Sequence, residues 1–209
     1  MIDSIIFDLD GTLWDTTHIG AQFWSEAALN YHIPVPVTAN QLKSLYGLPV
    51  DIIAKRLFPD APEEVLQAIM QESSWKQCQY LEKEGGILFP RLIETLYELK
   101  KNYRLFIVSN CEEGYIQSFI KAHQLEGYFE DFEYPGRTGL LKADNICMII
   151  DRNHLKNPVY VGDTALDAAS SKDAGIPFVY ARYGFGNVEK FDDVIDSLNE
   201  LNLLSLLKV

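Results

Sequence analysis

The sequence predicts an α/β protein: a parallel sheet covered on both faces by helices, with an all-helical insertion after the first strand. Three observations carry this. Short, nearly continuous apolar runs, of the kind that form strands buried on both faces, alternate with stretches of helical periodicity. Strand–helix alternation builds a parallel sheet with crossover helices. One stretch, from Trp14 to about Ile87, breaks the rhythm and carries no convincing strand.

The first strand is Ser4-Ile5-Ile6-Phe7, and it runs straight into Asp8-Leu9-Asp10-Gly11-Thr12-Leu13. The insertion reads as four helices. Asp15, Thr16 or Thr17 is placed to cap the first, which reaches about Tyr31. Gly47 and Pro49 punctuate the middle, and Pro62-Glu63-Glu64 opens a long helix ending near Glu84, with its acids where the helix dipole favours them. Gly85-Gly86 then forms a flexible joint, expected to touch neither core nor chemistry.

Four more strands follow, at Arg104–Val108, Phe129–Tyr134, Pro158–Val161 and Pro177–Tyr180. Helices are expected at Pro90–Lys101, Glu112–His123, Ala143–Arg152 and Ala165–Ala174, the last ended by Gly175. Leu201–Leu207 is far too short to span a bilayer and suits a packed C-terminal helix. The implied organisation is a Rossmann-like core of residues 1–13 and 88–209 with a helical cap, 14–87, over the strand ends. Leu45-Tyr46-Gly47-Leu48-Pro49 and the Arg182–Gly186 loop are expected to face the site, and Trp14 to pack under the cap.

The 209 residues carry a net charge of −12, which argues against sequence-independent nucleic-acid binding and against anionic membrane surfaces. Cys78, Cys111 and Cys147 are odd in number and widely spaced, which suits reduced thiols in a cytoplasmic protein. The start, Met1-Ile2-Asp3, has no charged leader segment.

The chemistry begins at Asp8 and Asp10. Alternate residues leave a strand on one side, so both carboxylates emerge together at its carboxyl end. At about 4 Å and an effective dielectric of roughly 20 their repulsion is on the order of 4 kcal/mol. A divalent cation, a shared proton or both would offset it. Ser109-Asn110 ends a second strand before a helix and suits either an anion cradle or a helix cap. Lys142 opens a helix, where the dipole disfavours a cation unless a ligand charge is near. Gly162-Asp163-Thr164-Ala165-Leu166-Asp167 follows a third strand and brings a second acidic pair to the same sheet edge. Together these residues describe a phosphoryl-transfer site, with Asp8 and Asp163 on Mg²⁺ and Lys142 and Ser109 on the phosphoryl oxygens. One carboxylate of the first pair attacks phosphorus and the other moves a proton.

Taken in order, Asp8–Leu13, Ser109-Asn110, Lys142 and Gly162-Asp163-Thr164-x-x-Asp167 resemble the four motifs of the haloacid dehalogenase superfamily of phosphohydrolases. The insertion resembles the helical cap of its phosphoglycolate phosphatase and beta-phosphoglucomutase branch. The resemblance implies Asp8 as nucleophile, Asp10 as general acid and then base, and Ser109, Asn110 and Lys142 around the phosphate. It also implies Mg²⁺ held by Asp8, Asp163 and the backbone carbonyl of Asp10, with Thr12 and Asp167 supporting from behind. Many relatives follow the lysine with proline, where this chain has Ala143.

The expected activity is a Mg²⁺-dependent phosphatase acting on a small phosphorylated metabolite, by a monomer or weak dimer. A phosphomutase would use every residue named, and a regulatory module of the same fold would keep the residues without turnover. Dehalogenation is disfavoured because it needs no acid at Asp10. Phosphonate cleavage is disfavoured because it also needs a Schiff-base lysine from the cap, for which Lys43 is the candidate.

Overall fold

A computed structural model describes residues 2–204. In chain order, β1 (Ser4–Phe7) and β2 (Trp14–Asp15) precede four helices: α1 (Thr17–Asn30), α2 (Ala39–Lys43), α3 (Val50–Leu57) and α4 (Glu63–Glu84). Then come β3 (Ile87–Leu88), α5 (Leu92–Leu99), β4 (Arg104–Val108), α6 (Tyr115–Ala122), β5 (Asp131–Glu133) and α7 (Pro135–Thr138). The chain continues through α8 (Lys142–Asn153), β6 (Pro158–Gly162), α9 (Ala165–Asp173), β7 (Phe178–Ala181) and β8 (Asp193–Ile195) to a 3₁₀ helix, Leu198–Leu203.

Every residue of β1 is buried because β1 lies in the middle of a six-stranded sheet ordered β5-β4-β1-β6-β7-β8. All its pairings are parallel. Register decides where the site forms. Phe7 pairs with both Ile107 and Val161, so the carboxyl ends of β4, β1 and β6 lie nearly level. Ser109, Asp8 and Asp163, each just past a strand end, therefore come to one edge.

The four helices after β2 pack Trp24, Leu42, Ile53, Phe58, Leu66 and Ile69 into an apolar cluster of their own. The C-terminal part of α4 leaves that cluster, and its Leu81 packs into the main core beneath the sheet. No described helix is long and apolar enough to cross a membrane.

Several boundaries differ from the sequence reading. Phe129–Tyr134 narrows to the three residues of β5, an edge strand paired only with β4. α6 starts at Tyr115 rather than Glu112, because Gly114 takes a left-handed φ of 88° just before it. Pro90 precedes α5 instead of opening it, and Arg91 caps that helix at φ 62°. β8 carries one buried residue in three, too weak a signal to read. In place of a C-terminal α-helix, Leu198–Leu203 forms the 3₁₀ turn, and the remainder of the expected helix lies outside the described residues.

The ends of the helical segment also hold strands that the sequence did not suggest. β2 and β3 pair antiparallel, Trp14 with Leu88 and Asp15 with Ile87, and Phe89 N–H donates to Leu13 O at 3.1 Å. Gly85-Gly86 is packed. A Cβ at Gly86 would sit 2.7 Å from Trp14 Cε3 and 2.8 Å from Thr16 Cγ2, and one at Gly85 would meet His123 Cε1 at 2.8 Å. The glycines serve close approach as well as turning, which corrects the expectation of a joint free of the core. Trp14 is corrected too. It is fully buried against Tyr115 and Phe119 of α6, at ring distances of 5.2 and 5.1 Å, and so belongs to the sheet's own core.

Candidate active site

At the end of β1 the Asp8 carboxylate is 1% exposed and meets the Lys142 ammonium, whose Nζ donates to Asp8 Oδ1 at 2.7 Å. The same nitrogen donates to Asp167 Oδ1 at 2.5 Å and lies over the Tyr160 ring. Burial alone would make Lys142 shed its proton, but Asp167 and Asp8 outweigh it and hold the ammonium well above its ordinary range. Burial pushes Asp8 up to about 6 against the pull of Lys142, while Asp167 pushes it further up and the Ser109 hydroxyl, hydrogen-bonded to it, draws it down. Asp8 Oδ2 is buried and has no hydrogen-bond partner. A buried carboxylate oxygen left bare is costly unless something binds it.

Asp163, at the end of β6, faces that oxygen's neighbourhood. Its Oδ1 accepts from the Thr12 hydroxyl at 3.2 Å and its Oδ2 from Phe185 N–H at 2.7 Å. A Cβ at Gly11, where φ is +82°, or at Gly184 would fall on this carboxylate, so both loops need glycine to close around it. Burial, then Asp167 and Asp8, push Asp163 well above the usual carboxylate range. Carboxylate oxygens of Asp8, Asp163 and Asp167 lie within 4.8 Å of one another. Asp167 already serves Lys142 and caps α9, its Oδ2 accepting from Thr164 N–H at 2.9 Å and Thr164 Oγ1 at 2.6 Å. That leaves Asp8 and Asp163 as the carboxylates best placed for a hard divalent cation.

Asp10 stands apart from this cluster. Tyr115 Oη donates to its Oδ1 at 2.8 Å, and Thr16 Oγ1 lies 3.1 Å from the same oxygen. The two hydroxyls are themselves 2.6 Å apart. Burial, and next the charge of Asp8, raise Asp10 to about 7, so this carboxyl holds a proton near neutral pH.

Two loops from the helical segment and the sheet reach the site. Gly47, at φ +92° between α2 and α3, packs against the Thr164 side chain, and its carbonyl accepts from Asn110 Nδ2 at 2.8 Å. The Asn110 side chain thus spans between the sheet and the helical segment. Beyond β7, Phe185 holds Asp163 through its amide, and Tyr183 Oη donates to Thr12 O at 2.8 Å. Lys43 pairs with Asp15 at 3.1 Å and lies 5.5 Å from the centre of the Phe185 ring. The sequence drew no attention to Tyr115, nor to Thr16 beyond a helix cap. An aromatic residue starting a helix and a threonine before one look like ordinary core and cap residues.

Residues 5–181 match the family model described as haloacid dehalogenase-like hydrolase. Among curated proteins, the chain is 26% identical over 231 residues to phosphoglycolate phosphatase of Escherichia coli, covering 96% of this chain and 91% of that protein. It is 26% identical to phosphoglycolate phosphatase of Rhodobacter capsulatus, covering 88% and 86%. The fold is that of a haloacid dehalogenase-like hydrolase from Bacteroides fragilis, with a TM-score of 0.85 at 24% identity over 96% of this chain and all of the other. It is also that of CbbY from Rhodobacter sphaeroides, solved in complex with phosphate, with a TM-score of 0.82 at 19% identity over the whole of both chains.

Proposed function

The chain belongs to the haloacid dehalogenase-like hydrolase family, and from that premise we propose that it is a Mg²⁺-dependent phosphatase of small phosphorylated metabolites. One observation carries the reading. Asp8 has one oxygen held by Lys142 and the other bare, within a buried cluster of carboxylates. A nucleophile must be ionised, fixed in place and unencumbered at the attacking atom.

Asp8 and Asp163, with the backbone carbonyl of Asp10, would hold Mg²⁺. When bound, the ion neutralises carboxylate and phosphoryl charge together. Lys142, kept charged by its two acids, and Ser109 steady the phosphoryl oxygens. Asp8 attacks phosphorus to give an aspartyl-phosphate, while protonated Asp10 gives its proton to the leaving oxygen. Asp10 then takes a proton from water as that water attacks the intermediate. Thr12 keeps Asp163 in place, and Asp167 keeps Lys142 in place. The helical segment, residues 14–87, acts as a cap over the core formed by residues 1–13 and 88–209, and Asn110 is a contact that holds it closed.

The test is phosphate release from p-nitrophenyl phosphate with Mg²⁺, with EDTA, and in Asp8→Asn. Turnover that requires Mg²⁺ and vanishes in Asp8→Asn is expected. Turnover of Asp8→Asn within tenfold of the parent would defeat the covalent route.

A further inference from the structure

Beside Asp10 lies a cavity of about 50 Å³. It is closed by Trp24, Tyr46, Leu48 and Ile53 of the helical segment and by Asn110 and Tyr115 of the sheet side. Asp10 borders it, so the space falls where the leaving group of an ester would stand. Its charge is one-sided. Glu112 is the other carboxyl in the wall, and among the described residues no lysine, arginine or histidine lines it.

The way outward is acidic as well. A neighbouring groove shares Val50, Asn110, Cys111 and Glu112 with the cavity and adds Asp51, which is paired with Lys55 at 3.8 Å. Other cations are committed to acids outside the cavity wall. Lys43 is paired with Asp15, Lys76 with Glu72, and Lys142 lies on Asp8 and Asp167. A carboxylate entering this space would lose water and find the exposed Glu112 at the rim instead of a counter-ion, which disfavours its binding. Beyond the two carboxyls, the polar side chains of the wall are neutral, among them Tyr46, Tyr115, Gln77 and Asn110.

We infer that this cavity is the leaving-group pocket and that it selects phosphate esters of uncharged alcohols while rejecting those whose alcohol carries a carboxylate. The inference rests on the phosphatase reading above. It sets this chain apart from the reaction in the names of its phosphoglycolate phosphatase relatives, because the alcohol that phosphoglycolate releases, glycolate, bears a carboxylate.

Phosphoglycolate and 2-hydroxyethyl phosphate are close in size and differ by one carboxylate, so they isolate the charge. Both are measured as competitors of p-nitrophenyl phosphate with Mg²⁺, which yields a constant for each whether or not it is hydrolysed. The neutral ester should compete at least about tenfold better. In Glu112→Lys that preference should shrink by about tenfold, since the wall then offers a counter-ion. Equal or better competition by phosphoglycolate, or a preference unmoved in Glu112→Lys, overturns the inference. An enzyme inert toward p-nitrophenyl phosphate defeats the phosphatase reading instead. The same two esters are then titrated calorimetrically, with the same ranking expected and its reversal again decisive.

Discussion

Asp10 receives both of its hydroxyl contacts on one oxygen, Oδ1, from Tyr115 and Thr16. In the proposed mechanism Tyr115 would fix the carboxyl that gives up the proton without itself touching phosphorus. Tyr115→Phe should slow hydrolysis of an alkyl phosphate by about tenfold, because misaimed groups transfer protons poorly. p-Nitrophenyl phosphate, whose leaving group needs no proton, should change by less than about twofold. Equal losses on both esters would reduce Tyr115 to a packing residue. The titration of Asp10 carries a sign of its own. Its pKa of about 7 lies above the value for an unfolded aspartate, so its contribution to stability is full at low pH and lost as pH rises through about 7. Asparagine cannot ionise, so Asp10→Asn should gain thermal stability relative to the parent between about pH 5 and about pH 8. Parallel melting curves across that range would contradict the assignment. How legible these residues are follows from their neighbours. Asp8 and Asp10 stand out because two acids follow a buried apolar run, and Asp163 and Asp167 because a second pair does the same. Lys142 gained meaning only from its order among the others. Tyr115 had no signal and Trp14 was placed under the cap instead of in the sheet's core, since aromatic residues in a core and aromatic residues serving a site are spaced alike.

At the scale of elements, the strands buried on both faces were legible and the marginal ones were not. β2 and β3 have two residues each and β8 has three, so alternation has no length in which to show. What they contribute is nevertheless substantial. The β2–β3 pair ties the entry and exit of the helical segment together, and Gly86 lets Trp14 and Thr16 lie against the exit. Gly86→Val would drive a side chain into the Trp14 ring, and overpacking of this kind costs about 1–3 kcal/mol. The expected outcome is a clear fall in melting temperature together with lower activity, because Thr16 also contacts Asp10. A Gly86→Val protein as stable as the parent would show that the ribbon yields. Four helices in the insertion were legible from punctuation alone: Gly47, Pro49 and Pro62 each sit at a break that the fold respects. The division of α4 between two apolar clusters was not, since Leu66, Ile69 and Leu81 read as one continuous stripe.

Across the whole molecule, Asn110 on Gly47 and Gly47 on Thr164 join the helical segment to the sheet's edge, and in the proposed mechanism these contacts part to admit a substrate. Opening must also involve the contact between α4 and α6, where the chain offers a direct test. A Cβ at Gly114 would lie 3.8 Å from Cys78 Cβ, the spacing of a relaxed disulfide, although the φ of +88° there adds some strain. In Gly114→Cys, oxidation should link residue 114 to Cys78 and suppress turnover, and a reductant should restore it. Undiminished turnover by the fully linked protein would mean that this contact never moves. The same contact determines what kind of motion is available. Leu81 anchors the end of α4 in the main core, so the helical segment has no free swing about Gly85-Gly86. Yet α4 meets α6 through small side chains: Cys78 beside Gly114, and Ser118 Oγ donating to Cys78 O at 3.1 Å. An ion pair between Lys121 and Glu82 also joins the two helices at the surface, where it can follow a small displacement of α4 along α6. Closure in this enzyme should accordingly be a shear of two packed helices, small at the contact and magnified at the Gly47 loop.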